Sequence, residues 1–188
     1  MSIENLIIEL SHDPFNSDKN FVVATEYERL NQSASAVSFY LRTIEYSNKS
    51  NDLAVYTSLI KLSQAFETQN DRIHSMNHAL SQAVTYMPNR PEAYWHMARL
   101  HESLKTWQDS YMWSVVGLQT PVYQEPLPAF VGYYGAYCLE FQKAVAAYWI
   151  GRRDESVEIL LKLKEQPVNA MYLEAINANL KRLDIAAL

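Results

Sequence analysis

The sequence predicts an all-α protein built from antiparallel helix pairs packed side by side, and three observations carry that expectation. Apolar residues recur at helical spacing almost from end to end. Glycine occurs only four times in 188 residues, too few for the many tight turns of a sheet-rich fold. A small residue followed one helical turn later by a ring recurs at Ala24 and Tyr27, Ser63 and Phe66, and Ala98 and His101, with the anchors 39 and then 35 residues apart. Such a period is that of a helical-repeat architecture.

The elements follow in order. Ile3, Leu6, Ile7 and Leu10 form one apolar stripe behind Ser2, a capping residue, and Pro14 ends this short helix. Each small-then-ring helix is next interrupted, at Asn31, Asn70 and Lys105, and a second helix restarts. The second helices carry Ala36, Tyr40 and Thr43, then Met76, Leu80 and Ala83, then Ser110, Ser114 and Gly117, each spaced by four and then three. Pro91 suits the first position of its helix, where an N–H would lack a partner anyway. Ala98 is small because paired helices approach to about 8–10 Å and a bulkier side chain at the crossing would hold them apart. A fourth, looser unit has Ala144 and Tyr148, a break at Gly151, and Ser156, Leu160 and Leu163. After Pro167, Met171, Tyr172, Ala175, Ile176, Ala178 and Leu183 read as a terminal helix that caps the stack. The expected organisation is one helical-repeat domain over 1–188: a helix and connection (1–18), three repeats (19–118), an irregular connection (119–137), a degenerate fourth repeat (138–166) and a capping helix (167–188).

Composition narrows the function classes. The net charge is −5 and the longest basic run is the pair Arg152–Arg153, so the charge pattern of a nucleic-acid-binding surface is missing. Cys138 stands alone, which excludes an internal disulfide and a zinc site built on several cysteines. Residues 1–13 lack the apolar core of a signal peptide, and no stretch reaches the roughly 20 apolar residues that span a bilayer. A soluble, cytoplasmic chain with no membrane contact is the expectation. His74 and His78 have the four-residue spacing of two metal ligands but no third ligand near them in sequence. His96 and His101 have no neighbouring Ser or Cys nucleophile in a recognisable motif, and His101 stands where the other units have a ring. Asp13, Asp18, Asp154 and Glu155 fall at helix starts, where carboxylates meet unpaired N–H groups. There is no glycine-rich phosphate loop. Neither a catalytic constellation nor a cofactor or metal site is expected.

The recurring pattern resembles the tetratricopeptide repeat family over about residues 19 to 166. The best unit is NRPEAYWHMARLHESLKTWQDSYMWSVVGL, which matches at Ala98, Trp107 and Gly117, with prolines near repeat ends at Pro88 and Pro121. Ser110 and Met76 depart from it, standing where the family favours alanine. The resemblance implies a right-handed superhelix of about three to four repeats whose first helices line a concave groove that holds protein partners. It places residues three before, one after and four after each small anchor on that wall: Phe21, Thr25 and Glu28; Ile60, Gln64 and Glu67; Trp95, Arg99 and Glu102. The three glutamates suggest an acidic row for a basic or N–H-rich peptide, with Phe21, Ile60 and Trp95 as apolar footing; the plain alternative is a solvated, helix-favouring face. The lysine-and-asparagine clamp of chaperone-binding family members is absent, which argues against chaperone tail binding.

The segment from Gln119 to Tyr137 holds three of the seven prolines, two of the four glycines and five rings, too apolar for a free linker. It is expected to fold across the stack, or to offer Tyr123, Phe130, Tyr133 and Tyr134 as a contact surface, for which self-association is a natural use. Short stretches (DPFN, YERL, SAVSFYLR, RPEAYWHMARLHE) are also similar to repeat segments encoded by tailed bacteriophages of aquatic bacteria, some accompanying glycosyltransferase domains. That kinship implies a place in the host cytoplasm or virion. The resulting expectation is a non-enzymatic scaffold or assembly component, with an accessory unit of a glycosyltransferase system as the alternative.

Overall fold

Side-chain caps and left-handed turns mark where several of the helices begin and end. The computed structural model describes residues 2–49, 52–69, 72–121 and 125–183. Among them run α1 (Ile3–Ser11), α2 (Ser17–Arg29), α3 (Ser33–Tyr46), α4 (Leu53–Glu67), α5 (Ile73–Tyr86), α6 (Pro91–Ser103), α7 (Trp107–Leu118), α8 (Ala136–Trp149), α9 (Arg153–Lys164) and α10 (Ala170–Arg182), with no strand among the described residues. Ser2, Asn16, Asp52 and Asn169 each accept a hydrogen bond from a backbone N–H of the following helix, which satisfies a donor that has no intrahelical partner. Pro91 occupies the first turn of α6.

The breaks between first and second helices share one geometry. Asn31, Lys105 and Gly151 have φ of 57°, 59° and 84°, the left-handed region. Each donates its N–H to the carbonyl three residues back (Glu28, Glu102, Tyr148), and the residue after it reaches five back, as Gln32 does to Tyr27, Thr106 to His101 and Arg152 to Ala147. This double closure is a Schellman motif, and it turns the chain sharply enough for the two helices of a pair to run back along each other. Asn70 lies outside the described residues. A lysine in this conformation is strained by its Cβ, whereas glycine is not. Lys105→Gly is therefore expected to stabilise the protein by about 0.5–1 kcal/mol, seen as a rise of roughly 1–4 °C in the thermal midpoint; an unchanged or lower midpoint would contradict this account of the turn.

Helix pairs α2–α3, α4–α5, α6–α7 and α8–α9 pack as hairpins, and the anchors lie inside them. Ala24, Ala98 and Ala144 are fully buried and Ser63 nearly so. The second-helix residues read from the sequence are buried as well: Ala36, Tyr40 and Thr43, then Met76, Leu80 and Ala83, then Ser110, Ser114 and Gly117, then Ser156, Leu160 and Leu163. At Gly117 the reason is explicit, because a Cβ there would lie 2.8 Å from Tyr94 Cβ and 3.0 Å from Leu139 Cδ1, so only glycine lets α7 sit between α6 and α8.

The chain packs as two compact units. Unit 1 contains α1 to α5 together with residues 125–131, and unit 2 contains α6 to α10 with the stretch that starts at Gly132. The core of unit 1 gathers Phe21, Ala24, Tyr40, Leu62 and Ala79, with Tyr27, Phe39, Phe66 and Ala129 packed against it. Every residue of α4 from Ala54 to Ser63 is buried, since α2, α3 and α5 all pack against this helix. Unit 2 has an apolar cluster under α10 (Ala144, Leu160, Leu163, Ile176, Leu180) and an aromatic one around Trp95, Cys138, Leu139 and Tyr172. Among the described residues no helix is long and apolar enough to cross a membrane.

Candidate protein-interaction site

The first helices set where each predicted wall residue can point. In unit 1, Phe21 is buried with its ring 6.0 Å from that of Tyr40, and Ile60 is fully buried. In unit 2, Trp95 is 5% exposed and packs against Tyr133 at 5.9 Å between ring centroids. These three residues, expected to give a partner apolar footing, are instead used in the packing of their own units. The offset explains it: each sits three residues before its anchor, on the same helical stripe, so burying the anchor buries it too.

The acidic row divides. Glu28 Oε2 accepts the Tyr40 hydroxyl at 2.5 Å and Glu28 Oε1 accepts Lys61 Nζ at 2.7 Å, tying α2 to α3 and α4. Burial first, and the Glu28 carboxylate second, hold the Tyr40 phenol well above its ordinary range. Glu102 repeats the arrangement in unit 2, where Gln142 donates to its Oε2 at 2.6 Å and joins α6 to α8. In both units the donor stands two residues before the next anchor, Ser63 or Ala144, so one register serves twice. Charge reversal at Glu28 or Glu102 would first disturb helix packing. Lys61→Met, which removes the cation and leaves its apolar stem, is expected to cost about 1–2 kcal/mol, a charge-assisted bond discounted for the partial exposure of Glu28. Chemical denaturation of the variant against the parent chain checks this, and equal midpoints would refute it. Glu67 is exposed near the end of α4.

Residues one place after the anchors turn out of the stripe and are more accessible than those three places before them. Thr25 is half-buried, its hydroxyl donating to the Val22 carbonyl at 2.8 Å. Gln64 reaches away from its helix, and its amide donates to the Val131 carbonyl at 2.9 Å. Arg99 is exposed, with its guanidinium 5.0 Å above the Trp95 ring.

The irregular connection is held rather than loose. In unit 1, residues 125–131 alternate: Leu127, Ala129 and Val131 turn inward, while Pro126, Pro128 and Phe130 face water. In unit 2, Tyr133 lies against Trp95, and burial pushes its phenol above the ordinary range. Tyr134 is exposed, its N–H directed at Cys138 Sγ at 3.4 Å. Tyr123 lies outside the described residues. Cys138 is itself fully buried and its thiol is pushed up by burial, the condition of an inert structural cysteine.

The histidines are dispersed. His74 and His78 are both exposed on α5, and among the described residues no group of three or more His, Cys, Asp or Glu could hold a metal ion. His101 Nδ1 lies 2.7 Å from the Thr106 hydroxyl and 3.6 Å from Asp109, which links the end of α6 to the start of α7. Burial lowers its pKa, partly offset by Asp109.

Sequence reasoning did not single out an aromatic cluster at the α8 end of unit 2. Trp107 and Trp149 stack at 5.1 Å, Tyr148 meets Trp149 edge-on, and a cavity of about 520 Å³ beside them is also lined by Glu102, Asn179 and Arg182. Three large aromatic side chains bracketing two first-to-second helix turns were the available signal.

No protein-family model and no curated protein matches the sequence. Solved structures do match. A crystal structure of MamA superposes with a TM-score of 0.67 at 15% identity, over 87% of this chain and 85% of that one. A crystal structure of MamA protein superposes with a TM-score of 0.65 at 14% identity, over 99% of this chain and 86% of that one. The phage kinship gains no support from these likenesses. What they establish is the fold: an all-α, tetratricopeptide-like array of helix pairs.

Proposed function

We propose that this chain is a non-enzymatic protein-interaction module that holds partner segments against the faces of its first helices and so acts as a scaffold. The observation that carries the reading is that unit 1 already holds a non-helical stretch of polypeptide, residues 125–131, by an amide from α4 and an apolar floor. A face with that chemistry suits an extended protein segment. Thr25, Gln64 and Glu67 in unit 1 and Arg99 in unit 2 supply the accessible polar contacts, and the exposed rings of Phe130 and Tyr134 supply apolar ones, which also suit self-association. No residue of the chain favours a phage or a glycosyltransferase setting.

Affinity capture with the full chain, run beside sizing chromatography and repeated with the double variant Glu67→Lys and Arg99→Glu, tests the proposal. Both substitutions fall on exposed residues, so the fold should persist. Proteins retained by the parent chain are expected to be lost or weakened severalfold with the variant, and an identical retained set would overturn the reading.

A further inference from the structure

The 125–131 segment shows what chemistry the face of unit 1 accepts. Its inward positions are every second residue, Leu127, Ala129 and Val131, the periodicity of an extended chain lying on a surface. Ala129 meets the apolar cluster built from α2, α3, α4 and α5, and the Val131 carbonyl takes the Gln64 amide. Two of the three outward positions are proline, which removes N–H groups that the face would otherwise have to satisfy and stiffens the segment before it docks. Phe130, the one aromatic ring among the three outward positions, is 59% exposed.

We infer that residues 125–131 are an intramolecular ligand of unit 1, and that a partner binding there presents the same kind of segment, extended, with apolar and small residues at alternate positions, and must displace the chain's own. This rests on the protein-interaction reading above and deepens it by naming the partner's chemistry and an inhibitory occupant. A tethered ligand acts at an effective concentration on the order of millimolar. An outside segment of similar intrinsic affinity is therefore excluded by the fraction of molecules whose face is already covered.

The probe is a fluorescein-labelled peptide with the sequence of residues 125–131, its binding to the full chain read by anisotropy. Ala129→Asp in the protein places a charge where the segment meets the apolar cluster and expels it. The probe is expected to bind this variant at least tenfold more tightly than the parent chain, and Gln64→Ala in the same background should remove most of the gain. A probe with aspartate at the positions of Leu127, Ala129 and Val131 should not bind. Equal probe affinity for the Ala129→Asp and parent proteins overturns the inference. If Ala129→Asp loses its helical circular dichroism, hydrogen exchange on the parent chain decides. Unlabelled probe at about 1 mM, comparable to the effective concentration of the tethered segment, should speed exchange at the Ala129 and Val131 amides severalfold and leave α7 unchanged. No acceleration there is equally fatal. Failure of these experiments with partner capture still sensitive to Arg99→Glu leaves the interaction reading standing; probe binding without any such partner loss does the reverse.

Discussion

Gly117→Leu is expected to destabilise unit 2 by roughly 3 kcal/mol, the upper end of overpacking costs in a dense core. The reason lies in the first atom added. A Cβ at this position falls 2.8 Å from Tyr94 Cβ, an atom fixed to the α6 backbone that cannot rotate away, and 3.0 and 3.1 Å from the two terminal methyls of Leu139 on α8. Leu139 is fully buried and has no open space to turn into. The crossing of three helices would have to open, and the relief in helix propensity on replacing glycine, about 1 kcal/mol, is too small to offset it. Gly117→Ala should show the same effect at about half the size, because it adds the clashing atom without the rest. Thermal unfolding is the measurement, with a fall of roughly 6–12 °C expected for the leucine variant. A midpoint within 2 °C of the parent would mean that the helices of unit 2 are not packed at this distance.

Much of this arrangement is legible in the sequence because its causes are local. The spacing of Ala24 to Tyr27 or Ser110 to Ser114 to Gly117 is fixed by 3.6 residues per turn, and a small residue recurring on one stripe can only mean a close neighbour. The left-handed turns at Asn31, Lys105 and Gly151 are equally local, although lysine gives no hint of its conformation. What the chain does with its polar residues is not local. Lys61 reaches Glu28 from 33 residues away and Gln142 reaches Glu102 from 40, so these pins exist only once neighbouring pairs are in register. The Gln64 bond to Val131 spans 67 residues and has no counterpart in the repeat pattern at all. The same limit separates the wall residues. An offset of −3 returns to the buried stripe of the anchor, as Phe21, Ile60 and Trp95 show, whereas +4 reaches the helix end, where Glu67 is exposed and Glu28 and Glu102 are half-buried, and +1 turns out of the stripe, as Gln64 and Arg99 show.

Trp95→Ala distinguishes a core residue from a partner contact most sharply. If the indole served chiefly as footing for a partner, its removal would weaken binding and leave the thermal midpoint where it was. Its surroundings say otherwise: it is 5% exposed, its ring meets Tyr133 and His96, it clusters with Cys138, Leu139 and Tyr172, and Gly132 approaches closely enough that a Cβ there would lie 3.5 Å from the ring. Truncation leaves a cavity the size of an indole that helices pinned by Glu102 and Gln142 cannot close, so a loss of about 3–5 kcal/mol is expected. That corresponds to a drop of roughly 6–20 °C in the midpoint. Tyr133 should also lose its burial, so that its phenol, now held high, returns toward the ordinary tyrosine range and titrates at lower pH in an ultraviolet absorbance titration run at a temperature where the variant is folded. Arg99→Ala removes the cation above the same ring from an exposed position and should cost less than the loss of the indole, about 1 kcal/mol. A Trp95→Ala protein as stable as the parent, with partner binding lost, would move Trp95 out of the core and onto the interaction surface.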